Sequence, residues 1–194
     1  MKPIVTSIAL CIVLVLGALA EDNGLYEDDE SWEDEYGIYD ASSAGQTGQI
    51  QYEMSEGTAT VNLPPGYALH HTFAGKDENK SWTIEARTPG KNYDYDILIV
   101  MGYPGSFQDA VDETIAYNSE NNNPNEGRYI ETSSGYKAWI EDLTGSIDGL
   151  DQENSHTAFV DYTSDGSRYL TVIASEMSNE IFEGVVKSIE VEKK

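Results

Sequence analysis

The sequence contains little cysteine and little positive charge, and both shortages restrict what the protein can be. Its only cysteine among 194 residues, Cys11, lies in an apolar N-terminal run. Beyond Ala20 there is no thiol, so thiolate zinc sites, thioether haem attachment and a cysteine nucleophile are excluded from that part of the chain. A chain without disulfides depends on its hydrophobic core, which a domain of about 150 residues can supply.

Basic residues are the second shortage. The chain has 11 Lys and Arg against 35 Asp and Glu, which gives a formal net charge of −24. Nucleic acid binding relies on clustered cations that displace counterions, so we expect no nucleic acid partner. An anionic membrane surface is disfavoured for the same reason. Cationic partners, divalent metal ions or solubility in a saline habitat are the interpretations left open.

The N-terminus predicts a signal peptide at residues 1–20. Lys2 precedes an uncharged, mostly apolar stretch that ends in Ala18-Leu19-Ala20, just before acidic residues begin. A basic start, an apolar middle and small residues at the cleavage positions are typical of secretory signals, so we expect a secreted or cell-envelope protein. A retained membrane anchor is the alternative, because about 18 apolar residues just span a bilayer.

Residues 21–48 predict an acidic disordered linker. Between Glu21 and Asp40, ten of twenty residues are acidic and none is basic. Like charges repel one another and aliphatic residues are too few to form a core. We interpret this segment as a solvated spacer, with weak capture of a basic partner or of cations as the alternative.

Residues 49–194 predict a single α+β globular domain, in which two main helices pack on an antiparallel β-sheet as an α/β/α-type sandwich. The continuous apolar run Ile97–Met101 is typical of a central strand that is covered on both faces. Alternation of apolar and polar residues predicts further strands at 50–54, 59–63, 67–73, 81–87, 128–132, 136–140, 157–162 and 168–173.

The sequence predicts two helices. The first begins after Ser106, where Asp109 completes a capping box. Its predicted apolar face comprises Phe107, Ala110, Val111, Thr114 and Ile115. The second is capped by Ser178 or Asn179, and its predicted apolar face comprises Ile181, Val185, Val186 and Ile189. Trp139 alternates with the buried positions of its own strand, so we expect a helix to cover it.

This order of elements resembles the Mog1/PsbP-like family of small domains, many of which are exported. The resemblance rests on the helix after the apolar strand, the Gly135–Ala138 segment, the hairpin of Phe159–Tyr162 with Arg168–Ala174, and the closing helix up to Ile189. It covers most of residues 49–191. The resemblance implies an accessory or binding module that serves a larger assembly, usually without catalysis.

Candidate metal ligands are weighed by geometry. His70 and His71 are adjacent on a predicted strand, so strict alternation places them on opposite faces and we expect them not to share a metal ion. His156 is the only other histidine, so a catalytic or zinc triad is not expected.

Calcium is the one cofactor that the sequence suggests, and carboxylates are its candidate ligands. Asp148, Asp151 and Glu153 in the loop 145–155 carry oxygen donors for Ca²⁺, as do Asp94 and Asp96. The segment 161–166 is similar to the start of a calcium loop but has Val172 where the last acidic ligand would stand. A tight hairpin turn at Asp165-Gly166 explains that segment better.

Three functions remain as hypotheses. The first is a secreted, non-enzymatic binding or accessory domain that contacts a protein partner or belongs to a cell-surface assembly. The second is an acidic envelope protein that binds calcium or another cation. The third is a hydrolase, which we favour least because no nucleophile elbow, phosphate loop or dinucleotide fingerprint is present.

Overall fold

The computed structural model describes residues 37–40, 42–53, 57–75, 82–90, 97–120, 127–143, 146–147, 150–151, 155–163 and 165–194. The predicted signal peptide, 1–20, and most of the predicted linker lie outside these residues. Within the described ranges, no helix is both long and apolar enough to cross a bilayer.

The described elements follow the predicted order of strands, helix, strands and helix. They are β1 (Gly37–Asp40), β2 (Gln49–Glu53), β3 (Gly57–Asn62), β4 (Ala68–Gly75), β5 (Trp82–Arg87), β6 (Ile97–Pro104), α1 (Phe107–Glu120), β7 (Arg128–Glu131), β8 (Lys137–Leu143), β9 (Ser146–Ile147), β10 (Leu150–Asp151), β11 (Ser155–Asp161), β12 (Arg168–Ala174), α2 (Asn179–Lys187) and β13 (Glu190–Lys193).

An antiparallel sheet forms the middle layer. Among the described residues it has eight strands in the order β1-β4-β5-β6-β12-β11-β8-β7. The strands β13, β3 and β2 form a smaller antiparallel sheet, and β9 pairs with β10. Two helices pack on the main sheet, which confirms the α+β fold class predicted from the sequence.

The central strand β6 shows why both faces of the main sheet are buried. Leu98 and Val100 point into the larger core, which lies between the main sheet and the smaller one. Ile97, Ile99 and Met101 point to the opposite face and are also buried. A continuous apolar run therefore corresponds to burial on both sides, as its sequence predicts.

The larger core joins the smaller sheet and α2 to one face of the main sheet. Phe182, Val185 and Val186 of α2 are buried in it together with Ala138 and Val160. Ser178 caps α2, because its hydroxyl accepts a hydrogen bond from the backbone N–H of Ile181. This contact confirms the predicted start of the second helix.

Trp82 has the largest side chain in this core and packs against β2. Its ring stacks on Tyr52 at a centroid distance of 5.3 Å. It also lies against the backbone of Gly102 on β6, where a Cβ atom would approach Trp82 Nε1 to 2.2 Å. Only glycine leaves enough space for the indole at this position.

The helix α1 covers the other face of the main sheet. Its residues Phe107, Ala110 and Val111 are buried with Trp139 and Phe159, which confirms that a helix covers Trp139. Ser106 caps α1, because its hydroxyl accepts from the backbone N–H of Asp109 at 3.2 Å. The two helices therefore lie on opposite faces of β8 and β11.

The prediction that Ile115 and Ile181 lie on the buried faces of their helices is wrong. Ile115 is 49% exposed and Ile181 is 43% exposed. Ile115 lies at the edge of the buried stripe of α1, roughly 80° around the helix from Phe107 at 100° per residue. In α2 the buried stripe is centred near Phe182, and Ile181 lies outside it.

Two terminal strands are absent from the sequence prediction. The closing helix ends at Lys187, and Val191 belongs to β13, which pairs with β3. At the other end, β1 lies within the residues predicted as linker and pairs with the edge of β4, with Tyr39 opposite Phe73. Both strands have only four residues, so their pairing is not visible in a local hydrophobic pattern.

Candidate metal centre

The candidate site begins at an irregularity in β4. Leu69 pairs with Ala86 and His71 pairs with Glu85, so two steps along β4 match one step along β5. His70 is the extra residue of this β-bulge. A bulge interrupts the alternation of side chains along a strand, and both histidines consequently turn towards the same carboxylate.

The strand β5 supplies that carboxylate and a neighbouring cation. Trp82, Ile84 and Ala86 point into the larger core, so Glu85 and Arg87 share the opposite face of the strand. Glu85 is buried although it is charged. A buried carboxylate requires a compensating partner, and Arg87 provides one by donating to Glu85 Oε1.

The polar atoms of the site are close to one another. His70 Nδ1 lies 2.8 Å from His71 Nδ1 and 3.7 Å from Glu85 Oε1. His71 Nε2 lies 3.5 Å from Glu85 Oε2. The Nε of Arg87 donates to Glu85 Oε1. One ligand atom from each of His70, His71 and Glu85 falls within a mutual separation of 4.8 Å.

The electrostatics of the site keep both imidazoles neutral. Burial lowers the pKa of His71 to about 4, and the positive charge of Arg87 contributes to this decrease. Burial likewise lowers the pKa of His70, with further decreases due to Arg87 and His71 that the carboxylate of Glu85 partly opposes. A neutral imidazole is the form that binds metal ions, so the two side chains can act as ligands at neutral pH.

This set of donors suits a divalent transition-metal ion. Imidazole nitrogens and a carboxylate bind Zn²⁺ at about 2.0–2.2 Å, and tetrahedral geometry then places ligand atoms roughly 3.4 Å apart. His70 Nδ1 lies 3.7 Å from Glu85 Oε1 and 2.8 Å from His71 Nδ1, on either side of that spacing. One ligand atom of each residue lies within 4.8 Å of the others, so the three residues offer three protein ligands to one ion.

The prediction that the side chains of His70 and His71 point to opposite faces of β4 is wrong. It assumes regular alternation, whereas the bulge between Leu69 and His71 brings both rings to Glu85. The adjacent histidines were visible in the sequence. Their common orientation was not, because a bulge depends on how β4 pairs with β5 rather than on β4 alone.

The predicted calcium ligands are not brought together in the described part of the chain. Asp148, Glu153, Asp94 and Asp96 lie outside the described residues. Asp151 belongs to β10, where its backbone pairs with Ser146. The calcium site therefore stays a prediction.

The Asp165-Gly166 segment forms the predicted turn between β11 and β12. Asp165 Oδ1 accepts hydrogen bonds from the backbone N–H of Ser167 at 3.1 Å and from its hydroxyl at 2.7 Å. Gly166 has a φ of +66°, which glycine adopts without strain. Backbone geometry accounts for these residues.

His156 belongs to a separate network that holds α2 on the sheet. The imidazole is buried and stacks on Phe182. Its Nδ1 lies 3.0 Å from Asp142 Oδ1, and its Nε2 lies 2.5 Å from the carbonyl oxygen of Met177. Asp142 Oδ2 also accepts from Arg128 and Asn179. His156 is thus committed to contacts within the fold, as expected for a structural histidine.

No family model, curated protein or solved structure matches the chain. The resemblance to Mog1/PsbP-like domains stays a prediction that rests on the order of the elements.

Proposed function

We propose that this chain is an exported, non-enzymatic domain that binds a divalent transition-metal ion at His70, His71 and Glu85. The proposal joins two expectations from the sequence, a binding module and a cation-binding envelope protein. The observation that carries it is the bulge in β4, which directs two adjacent imidazoles to one buried carboxylate.

The chemistry of the ligands favours transition metals over calcium. Calcium prefers six to eight oxygen donors, whereas the site offers two nitrogens and a carboxylate. Imidazole is a common ligand of Zn²⁺, Cu²⁺ and Ni²⁺. The lowered pKa values of His70 and His71 support the same assignment, because neither imidazole has to lose a proton at neutral pH before it binds.

The acidity of the chain supports a role with cations but does not select the ion. A net charge of −24 raises the local concentration of any cation around the protein. We therefore expect exposed carboxylates to take up Zn²⁺ weakly and without specificity. A test of the proposed site must separate one specific ion from this background.

Titration calorimetry of the purified chain with Zn²⁺, in the presence of millimolar Ca²⁺ to occupy surface carboxylates, provides that test. We expect one tightly bound ion per chain. The double substitution His70→Gln and His71→Gln should weaken this binding by at least about tenfold, because both nitrogen ligands are lost. The same Zn²⁺ should raise the thermal midpoint of the wild-type chain but not that of the double variant.

A matched control and a direct observation of the ligands complete the experiment. Glu85→Gln should also lose the tight phase, whereas Glu192→Gln, at an exposed position of β13, should keep it. Electron paramagnetic resonance of the Cu²⁺ complex should show superhyperfine splitting from two nitrogen ligands. Tight binding of equal strength in the double histidine variant would exclude this site.

A further inference from the structure

Arg87 holds the carboxylate that an ion at this site requires. Its Nε donates to Glu85 Oε1, and the two side chains are only 13% and 7% exposed. The same oxygen, Oε1, is the Glu85 atom that lies 3.7 Å from His70 Nδ1. The other oxygen, Oε2, faces His71 Nε2 at 3.5 Å, so it is at Oε1 that an ion held by His70 would meet the guanidinium.

We propose that Arg87 is a built-in competitor of the metal ion: it neutralises Glu85 in the metal-free protein and leaves this carboxylate when the ion binds. This inference rests on the proposed function and specifies how the site is regulated. Binding is weakened by the ion pair that it must break. A weakened affinity suits a carrier or a buffer of metal ions, whereas a structural site binds its ion tightly.

The charges around the site support competition. A guanidinium stays protonated at all ordinary pH values, so Arg87 cannot become neutral to admit a cation. A fixed positive charge that donates to Glu85 Oε1 disfavours a divalent ion at the same carboxylate.

The opposite role for Arg87 makes a distinct prediction. Residues that hydrogen-bond a metal ligand often orient it and strengthen binding. If Arg87 orients Glu85 in this way, its removal weakens binding of the metal. If it competes for Oε1, its removal strengthens binding. The sign of one change in affinity thus decides between the two roles.

Zn²⁺ titration of the wild type, Arg87→Met and Arg87→Lys provides the measurement. Methionine keeps the apolar stem of the side chain and removes the charge, so Zn²⁺ should bind roughly ten- to a hundredfold more tightly. Lysine keeps the charge, so the gain in affinity should be clearly smaller than in Arg87→Met. An unchanged or weakened affinity in Arg87→Met would overturn the inference.

A second measurement uses the wild-type chain and needs no variant to fold. The Nε–H proton of Arg87 should give a protected nuclear magnetic resonance signal in metal-free protein, because it donates to a largely buried carboxylate. Saturation with Zn²⁺ should abolish that protection. A protected signal that persists at saturation would show that Arg87 keeps Glu85 and does not compete.

The two proposals fail in different ways. The proposed function fails when Zn²⁺ binding to the wild type does not depend on His70 and His71. The inference about Arg87 fails when that dependence is intact but the charge at position 87 has no opposing effect on affinity.

Discussion

Lowering the pH from 7.5 to 5 should destabilise the fold through His71. Burial, assisted by Arg87, lowers the pKa of this imidazole from 6.5 to about 4 in the folded chain. In the unfolded chain the imidazole regains its ordinary pKa of about 6.5. Between these two values the unfolded state binds a proton that the folded state does not. The free energy of unfolding therefore falls as the pH falls through this window.

The size of the effect follows from the two pKa values. At pH 5 the unfolded imidazole is almost fully protonated and the folded one almost fully neutral, which corresponds to a loss of about 2 kcal/mol relative to pH 7.5. The side chain of His71 keeps 16% of its surface exposed. Solvent screens part of the interaction, so we expect a loss of about 1–2 kcal/mol.

Urea unfolding of the wild type and His71→Gln, with a chelator present, checks this prediction. The chain has 35 carboxylates whose titration also changes stability, and their effect largely cancels when the two proteins are compared at each pH. The free energy of unfolding of the wild type minus that of His71→Gln should decrease by about 1–2 kcal/mol between pH 7.5 and pH 5. His70→Gln serves as a control, with a smaller decrease because His70 is 39% exposed. A constant difference for His71→Gln would refute the reasoning.

Two further substitutions test the packing and the network described above. Gly102→Ala should lower the free energy of unfolding by about 2–3 kcal/mol, since the new Cβ would lie 2.2 Å from Trp82 Nε1. Gly184→Ala, on an exposed part of α2 with no atom within 4 Å, should instead be neutral or slightly stabilising in thermal denaturation, and equal losses for both variants would contradict this account. Asp142→Asn should destabilise by about 2 kcal/mol, because the carboxylate accepts from Arg128 and Asn179 and contacts His156. Urea unfolding should show a change below about 0.5 kcal/mol for Asp112→Asn at an exposed position of α1, and a similar value for Asp142→Asn would exclude a stabilising role of the network.

The sequence predicts the scaffold well where burial has a local period. Alternation along β8 places Ala138 and Ile140 in the larger core and Trp139 under α1, and both placements agree with the structure. The caps at Ser106 and Ser178 were also predictable, because a hydroxyl that accepts from the first turn of a helix needs only neighbouring residues.

Local patterns fail where pairing decides the structure. The strand β13 is dominated by charged residues, and its register with β3 joins segments that are far apart in the chain, such as Glu190 and Thr60. The strand β1 lies in an acidic segment whose composition suggests disorder, yet it pairs with β4. Local patterns do not predict the candidate site, for the same reason. The side chains of His70, His71 and Glu85 are evident in the sequence, but their convergence depends on the match between β4 and β5.

Because of the bulge, the number of residues in β4 decides whether the two imidazoles face Glu85. Loss of a single residue there would let β4 and β5 pair without interruption, and positions that now meet Glu85 would return to alternate faces. The sheet, the core and the composition would hardly change. An insertion or deletion of one residue can thus create or abolish the site while the fold persists. The number of residues in β4, more than the presence of two histidines, therefore decides whether the imidazoles converge on Glu85.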